Sequence, residues 1–178
     1  MSYITLAELA QRPGARELAQ VASNALQAGR DDALMEATLT GADRSAWTPE
    51  QCAVADAAKA RILNAVAEAD ALIDGYLVQR GYDLPLQLPT TSSGKRVVTG
   101  WSRAITRYLL NQSRITDESK DPVARDYRDA LKLLGLLAQG KFSLGADDPA
   151  ANTATQSTDV RFDGAPTVFG RDQLRAFR

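Results

Sequence analysis

The sequence predicts an all-α protein, a compact bundle of about four to five helices with an extended C-terminal arm. Three observations carry this expectation. The composition is rich in alanine and poor in aromatic residues (6%), with only 12 glycines and 7 prolines, which favours helices over a sandwich built from β-branched and aromatic residues. Two segments open with a capping residue directly before proline, Thr48-Pro49 and Asp121-Pro122, the combination that starts helices. Behind each start, apolar residues recur every three or four positions. At 178 residues, 44% hydrophobic and 24% charged, the chain fits one domain with extensions and can bury a core.

Taken in order, Thr5 to Arg12 and Ala15 to Ala22 are expected to be two short helical pieces separated by the Pro13-Gly14 breaker, with Leu6, Leu9, Leu18 and Val21 to bury. The pattern weakens from Asn24 to Trp47, where Gly29 and Gly41 bracket a further short helix over Asp32 to Thr40. Thr48 then caps a long helix from Pro49 to about Arg80: Gln51 completes a capping box and Gly81 supplies the stop. Its buried stripe is expected at Ile62, Val66, Ala69, Ile73 and Tyr76, widened by Ala65, Leu72 and Leu77.

Pro85 and Pro89 exclude helix from Tyr82 to Pro89 and favour an extended connector, with Leu84, Leu86 and Leu88 available to pack. Thr90 to Gly94 is expected to be a polar, flexible turn before a helix from about Lys95 to Gln112, which carries Val98, Trp101, Ile105, Tyr108 and Leu109 on one face. Gly100 inside it costs about 1 kcal/mol against alanine and is expected to mark close helix packing. The helix that begins at Asp121-Pro122 has Val123, Tyr127, Leu131, Leu134 and Ala138 as its stripe and ends at Gly140.

Residues 1–145 are thus expected to form the helical domain. Residues 146–158, rich in Ala, Asp, Asn, Thr and Ser, form a flexible linker, and residues 159–178 form the arm. Val160, Phe162, Val168, Phe169, Leu174 and Phe177 make the arm costly to leave exposed. It either folds back on its own helices or docks on a partner; the second is favoured, because an extended arm adding a strand to a sheet edge ties subunits together.

Charge and side-chain inventory narrow the function. A net charge of −1 argues against gripping nucleic acid over a broad basic surface. No apolar run approaches the roughly 20 residues needed to span a bilayer, and Met1 to Ala10 lacks the charged-then-apolar order of a signal peptide. A soluble protein made in the cytoplasm, with no membrane contact, is expected. The chain has no histidine and one cysteine, Cys52, so Ser-His-Asp and Cys-His mechanisms, an intramolecular disulfide and a structural zinc site are excluded.

Thr91-Ser-Ser-Gly-Lys95 superficially resembles a phosphate loop but lacks the first glycine, the preceding strand and the hydroxyl residue after the lysine. Glu68, Asp70 and Asp74 lie close together on the long helix, a pattern compatible with acid/base work or a hard metal ion but routine for a solvated or salt-bridged helix face. No catalytic residue, metal or cofactor is expected, and the chain is expected not to be an enzyme.

Lys95, Arg96, Arg103, Arg107 and Arg114 occur with no acidic residue between Lys95 and Arg114. Arg96, Arg103 and Arg107 share a helix face, which either faces DNA or an acidic neighbouring subunit or pairs with Asp70, Asp74 and other local acids. Trp101 and Tyr108 fall on the apolar stripe and are expected in the core.

Several stretches together resemble a known family. They are Tyr3-Ile-Thr-Leu-Ala-Glu-Leu9, Ala69-Asp-Ala-Leu-Ile-Asp-Gly-Tyr-Leu77 followed by Leu84-Pro-Leu86, Asp126-Tyr-Arg-Asp-Ala-Leu131 running to Gly140-Lys141, and the closing Val168-Phe-Gly-Arg-Asp-Gln-Leu-Arg-Ala-Phe177. On these the chain resembles the neck proteins of Mu-like phages and prophages, which are similar in fold to head–tail adaptors. The resemblance implies a four- to five-helix adaptor forming a ring, usually of twelve copies, between the portal and a stopper or tail-completion protein.

Such a protein belongs to the virion neck, is assembled in the host cytoplasm, and lets DNA pass through its lumen. In a cyclic ring one face of each subunit meets a different face of the next, which would suit Asp70 and Asp74 as an acidic face and Arg96, Arg103 or Arg107 as a basic face or lumen lining. The stretch from Asn24 to Trp47 is an insert relative to shorter members. The alternative is a DNA-binding packaging or regulatory protein that uses the basic helix 95–114. A third reading is an enzyme that uses Asp70 and Asp74 with a metal ion.

Overall fold

A single long helix organises the architecture, and two groups of shorter helices pack on its two halves. In the computed structural model, which describes residues 2–23, 31–89 and 91–145, the elements are α1 (Leu6–Leu9), α2 (Ala15–Ala22), α3 (Asp32–Thr40), α4 (Pro49–Arg80), α5 (Ser93–Asn111) and α6 (Pro122–Ala138). The expected all-α fold is what the chain adopts. The linker 146–158 and the arm 159–178, with Val160, Phe162, Val168, Phe169, Leu174 and Phe177, lie outside the described residues.

Each helix starts where local chemistry satisfies its orphan N–H groups. Thr5 and Glu8 form a capping box on α1, and Thr48 and Gln51 form one on α4. Asp31 and Asp121 accept backbone N–H bonds at the starts of α3 and α6. Gly41 and Gly81 adopt left-handed backbone after α3 and α4, which glycine does without steric penalty.

Helix α4, 32 residues and roughly 48 Å long, carries a core in two parts. Along its first half Ala58, Ile62 and Val66 meet Ile4, just before α1, and Leu9, Leu18, Ala19, Met35 and Leu39 of the N-terminal helices. Along its second half Ala69, Ile73 and Leu77 meet Val98, Trp101 and Ile105 of α5 and Ala130, Leu134 and Leu137 of α6. Helices α4, α5 and α6 all pack on one another.

Several local expectations are corrected. The first α-helix passes after Leu9 into a π-helical turn, Ala10–Gly14, in which Arg12, the residue before Pro13, leaves helical geometry (φ −154°, ψ 116°) and Gly14 has φ +113°. Helix α5 starts at Ser93, two residues early: Ser92 accepts from the Lys95 N–H at 3.1 Å, so Thr91 to Lys95 is a helix cap. Gly100 marks no close packing, since a Cβ there would meet nothing within 4 Å. That role falls to Gly94, whose Cβ would collide with the Leu144 carbonyl. Leu72 and Leu84 are exposed at 36% and 40%, whereas Leu86 and Leu88 pack on the core. On α6 the expected Val123 and Leu134 are buried and Tyr127 and Leu131 pack at the edge of the core, but the stripe also takes in Ala130 and closes on Leu137 in place of Ala138.

Candidate functional site

The carboxylates of α4 are engaged by the N-terminus. Asp70 is buried and accepts from the Tyr3 N–H at 3.4 Å and the Ser102 hydroxyl at 3.1 Å. Asp74 accepts from the Tyr3 hydroxyl. The Tyr3 carbonyl in turn accepts from Lys95 Nζ at 3.1 Å and Thr99 Oγ1 at 2.9 Å, so one residue fastens the chain start to α4 and α5. Burial raises the Asp70 carboxyl above its ordinary range against hydrogen bonds from Ser2, Ser102 and Tyr3. Burial and then the Asp74 hydrogen bond raise the Tyr3 hydroxyl. Asp70 therefore lies inside the fold, and the solvated face expected for it is not formed.

The basic residues of α5 divide. Arg96 is exposed. Arg107 donates to Glu17 of α2 through Nε at 2.5 Å and Nη2 at 2.9 Å, a forked geometry that fixes orientation as well as charge. Arg114 donates to the Gln20 carbonyl at 2.6 Å. Of these residues Arg107, and Arg114 just beyond α5, meet α2, and among the described residues neither Asp70 nor Asp74 is a partner of the stripe.

Arg103 lies between these, and its Nε has no hydrogen-bond partner among the described residues. It lines a cleft of about 590 Å³ together with Arg12, Pro13, Glu17, Gly100, Trp101, Ala104, Arg107, Asp126, Asp129, Ala130 and Leu133. Tyr108 stacks on Tyr127 with ring centroids 4.0 Å apart, half-buried at the edge of the core.

The outward face of α4 is the other prominent surface. Ala57, Ala60, Ala67, Ala71, Gly75 and Val78 are exposed along it, flanked by Leu63 at 45% exposure, with Val78 itself at 58%. Their three- and four-residue spacing places them in one line. Sequence periodicity missed this face, because a run of alanines scores as apolar on every side. It also missed Tyr3 and Glu17, whose partners lie 71 and 90 residues away. Among the described residues no helix is long and apolar enough to cross a membrane.

Comparison with known proteins gives the family. The Bacteriophage Mu, Gp36 family matches residues 3–162. The chain is 30% identical over 152 residues to the Mu-like prophage FluMu protein gp36 of Haemophilus influenzae, covering 85% of this chain and 98% of that protein. It is 31% identical over 110 residues to Gene product J of Escherichia phage Mu, covering 61% of this chain and 70% of that protein. No solved structure matches the chain significantly. With most of its length matched to these Mu-like phage proteins, the chain belongs to the Bacteriophage Mu, Gp36 family.

Proposed function

We propose that this chain is a structural protein of phage morphogenesis, a head–tail connector that assembles into a ring, of twelve copies by the family resemblance. The ring would lie in the virion neck between the portal and a stopper or tail-completion protein, with DNA passing through its lumen. The observation that carries this reading is the outward face of α4. A 32-residue helix that leaves Leu63, Val78 and a line of small residues uncovered is suited to close packing against a neighbouring subunit. Membership of a Mu-like phage family supports it. In this reading the protein acts through shape and interfaces, without catalysis or cofactor.

The alternative, a DNA-binding packaging or regulatory protein using helix 95–114, is weakened by Arg107 and Lys95, whose charged groups are engaged within the chain. Salt-dependent DNA binding by the isolated protein would favour it.

The arm is the proposed link to the portal. Deleting Val160 to Arg178 is expected to abolish capture of the chain by purified portal while leaving helical circular dichroism unchanged. Undiminished capture by the deleted chain would sink the arm's assigned role.

A further inference from the structure

The cleft between the Arg12–Gly14 turn, α5 and α6 has no role in the connector reading, yet its construction is specific. Its floor is hollow and apolar. Gly100, Ala104 and Ala130 leave space beside the Trp101 ring, a Cβ at Gly100 would meet nothing within 4 Å, and Leu133 stands 37% exposed at the rim. Its walls carry opposite charges. On one side Arg12 and Arg103 line it beside the mutually paired Glu17 and Arg107, so that Arg12 and Arg103 carry the charge left over, with the Arg103 Nε lacking a hydrogen-bond partner among the described residues; on the other, Asp126 and Asp129 stand exposed on α6.

We propose that this cleft is the docking site for the chain's own residues 169–178, held in the same copy before assembly. That segment, Phe169-Gly-Arg-Asp-Gln-Leu-Arg-Ala-Phe-Arg178, interleaves apolar and charged residues in the proportions the cleft requires. Leu174 and Phe177 supply apolar groups for the floor, Arg171 and Arg175 supply cations for Asp126 and Asp129, and Asp172 supplies a carboxylate for Arg103. Charged groups of both signs in both surfaces fix the register, since reversing the segment sets like charges against each other.

Reach is sufficient. The described chain ends at Gly145, beside Leu144, which packs against Gly94 at the start of α5. From there the cleft residues of α5 lie about 10–20 Å along the helix. The length of residues 146–168 corresponds to an average coil span of about 25 Å. Tethering at that distance gives an effective concentration on the order of millimolar, so modest intrinsic affinity suffices. Docking in this manner covers apolar arm residues until a partner takes them. It does not depend on the ring, and a chain that never formed one would show the same contact.

Photo-cross-linking tests this on the full chain. A variant with Phe177→p-benzoylphenylalanine, diluted until light scattering gives the monomer mass, is irradiated as an equal mixture of unlabelled and heavy-nitrogen-labelled chains, and the linked peptides are mapped by mass spectrometry. The expected result is cross-links within single chains, to residues 100–107 or 126–133. Adding Gly100→Leu, at a position where a Cβ meets nothing within 4 Å and with a retained melting temperature as the control for folding, is expected to remove them by filling the floor. Links only between differently labelled chains, links elsewhere on the surface, no links, or links indifferent to Gly100→Leu would each overturn the proposal.

Discussion

Tyr3 fastens the start of the chain with every polar atom it has: its N–H donates to Asp70, its hydroxyl donates to Asp74, and its carbonyl accepts from Lys95 and Thr99. Removing the hydroxyl with Tyr3→Phe leaves the Asp74 carboxylate without that donor, and a charged hydrogen bond contributes about 1.5–3 kcal/mol. A loss in that range is expected in urea denaturation. The pH dependence has a definite sign. Burial and Asp74 raise the Tyr3 hydroxyl above its ordinary 10.0, so the unfolded chain releases this proton first and stability falls as pH rises past that value. Tyr3→Phe should remove that fall.

Asp70 behaves alike in the acid range. Its raised carboxyl keeps a proton that the unfolded chain gives up. Stability should therefore decrease as pH climbs from the ordinary aspartate value through the raised one, and Asp70→Asn should flatten this slope in melting curves from about pH 4 to 7. The forked pair between Arg107 and Glu17, each about a third exposed, should give a coupling of about 1 kcal/mol or less in a double-mutant cycle, reduced by salt.

At the scale of elements, caps and close approaches carry the energetics. Asp121 accepts from Val123 and Ala124 at the start of α6, and Asp121→Ala should cost about 1 kcal/mol. Gly94→Ala should cost about 1–3 kcal/mol, because the new Cβ meets the backbone carbonyl of Leu144 and not the yielding end of a side chain. Thermal melts of the two variants check both values.

The starts of α4 and α6 were legible because capping is local chemistry, readable within four residues, whereas α3 was read from the flanking Gly29 and Gly41 and its Asp31 cap emerges only in the structure. The end of α1 was harder to place. Its helical pattern continues past Leu9, and only the restriction that Pro13 imposes on Arg12 breaks it. On α6 the apolar pairs 130/131 and 137/138 offered two adjacent stripes, and packing against α4 and α5 buries Ala130 and Leu137 most deeply while keeping Leu131 at the edge of the core. The Glu17–Arg107 pair and the Tyr3 clasp join residues far apart in sequence, so no local pattern announced them.

For the whole molecule, one helix serves two cores. The N-terminal helices pack on the first half of α4, and α5 and α6 on the second, while the outward face of α4 is left bare along both. Ala67 lies at the middle of that face, away from either core. In the connector account, Ala67→Arg puts a bulky charge where a neighbouring subunit must approach, and leaves the monomer's melting temperature nearly unchanged.

The most direct measurement is the mass of the full chain by light scattering, alone and mixed with its portal across a salt series, for the natural sequence and for Ala67→Arg. The account expects the natural chain to form a ring-sized species or to be captured in many copies by the portal, and Ala67→Arg to remain monomeric. A natural chain that stays monomeric, ignores the portal and binds DNA instead would contradict it.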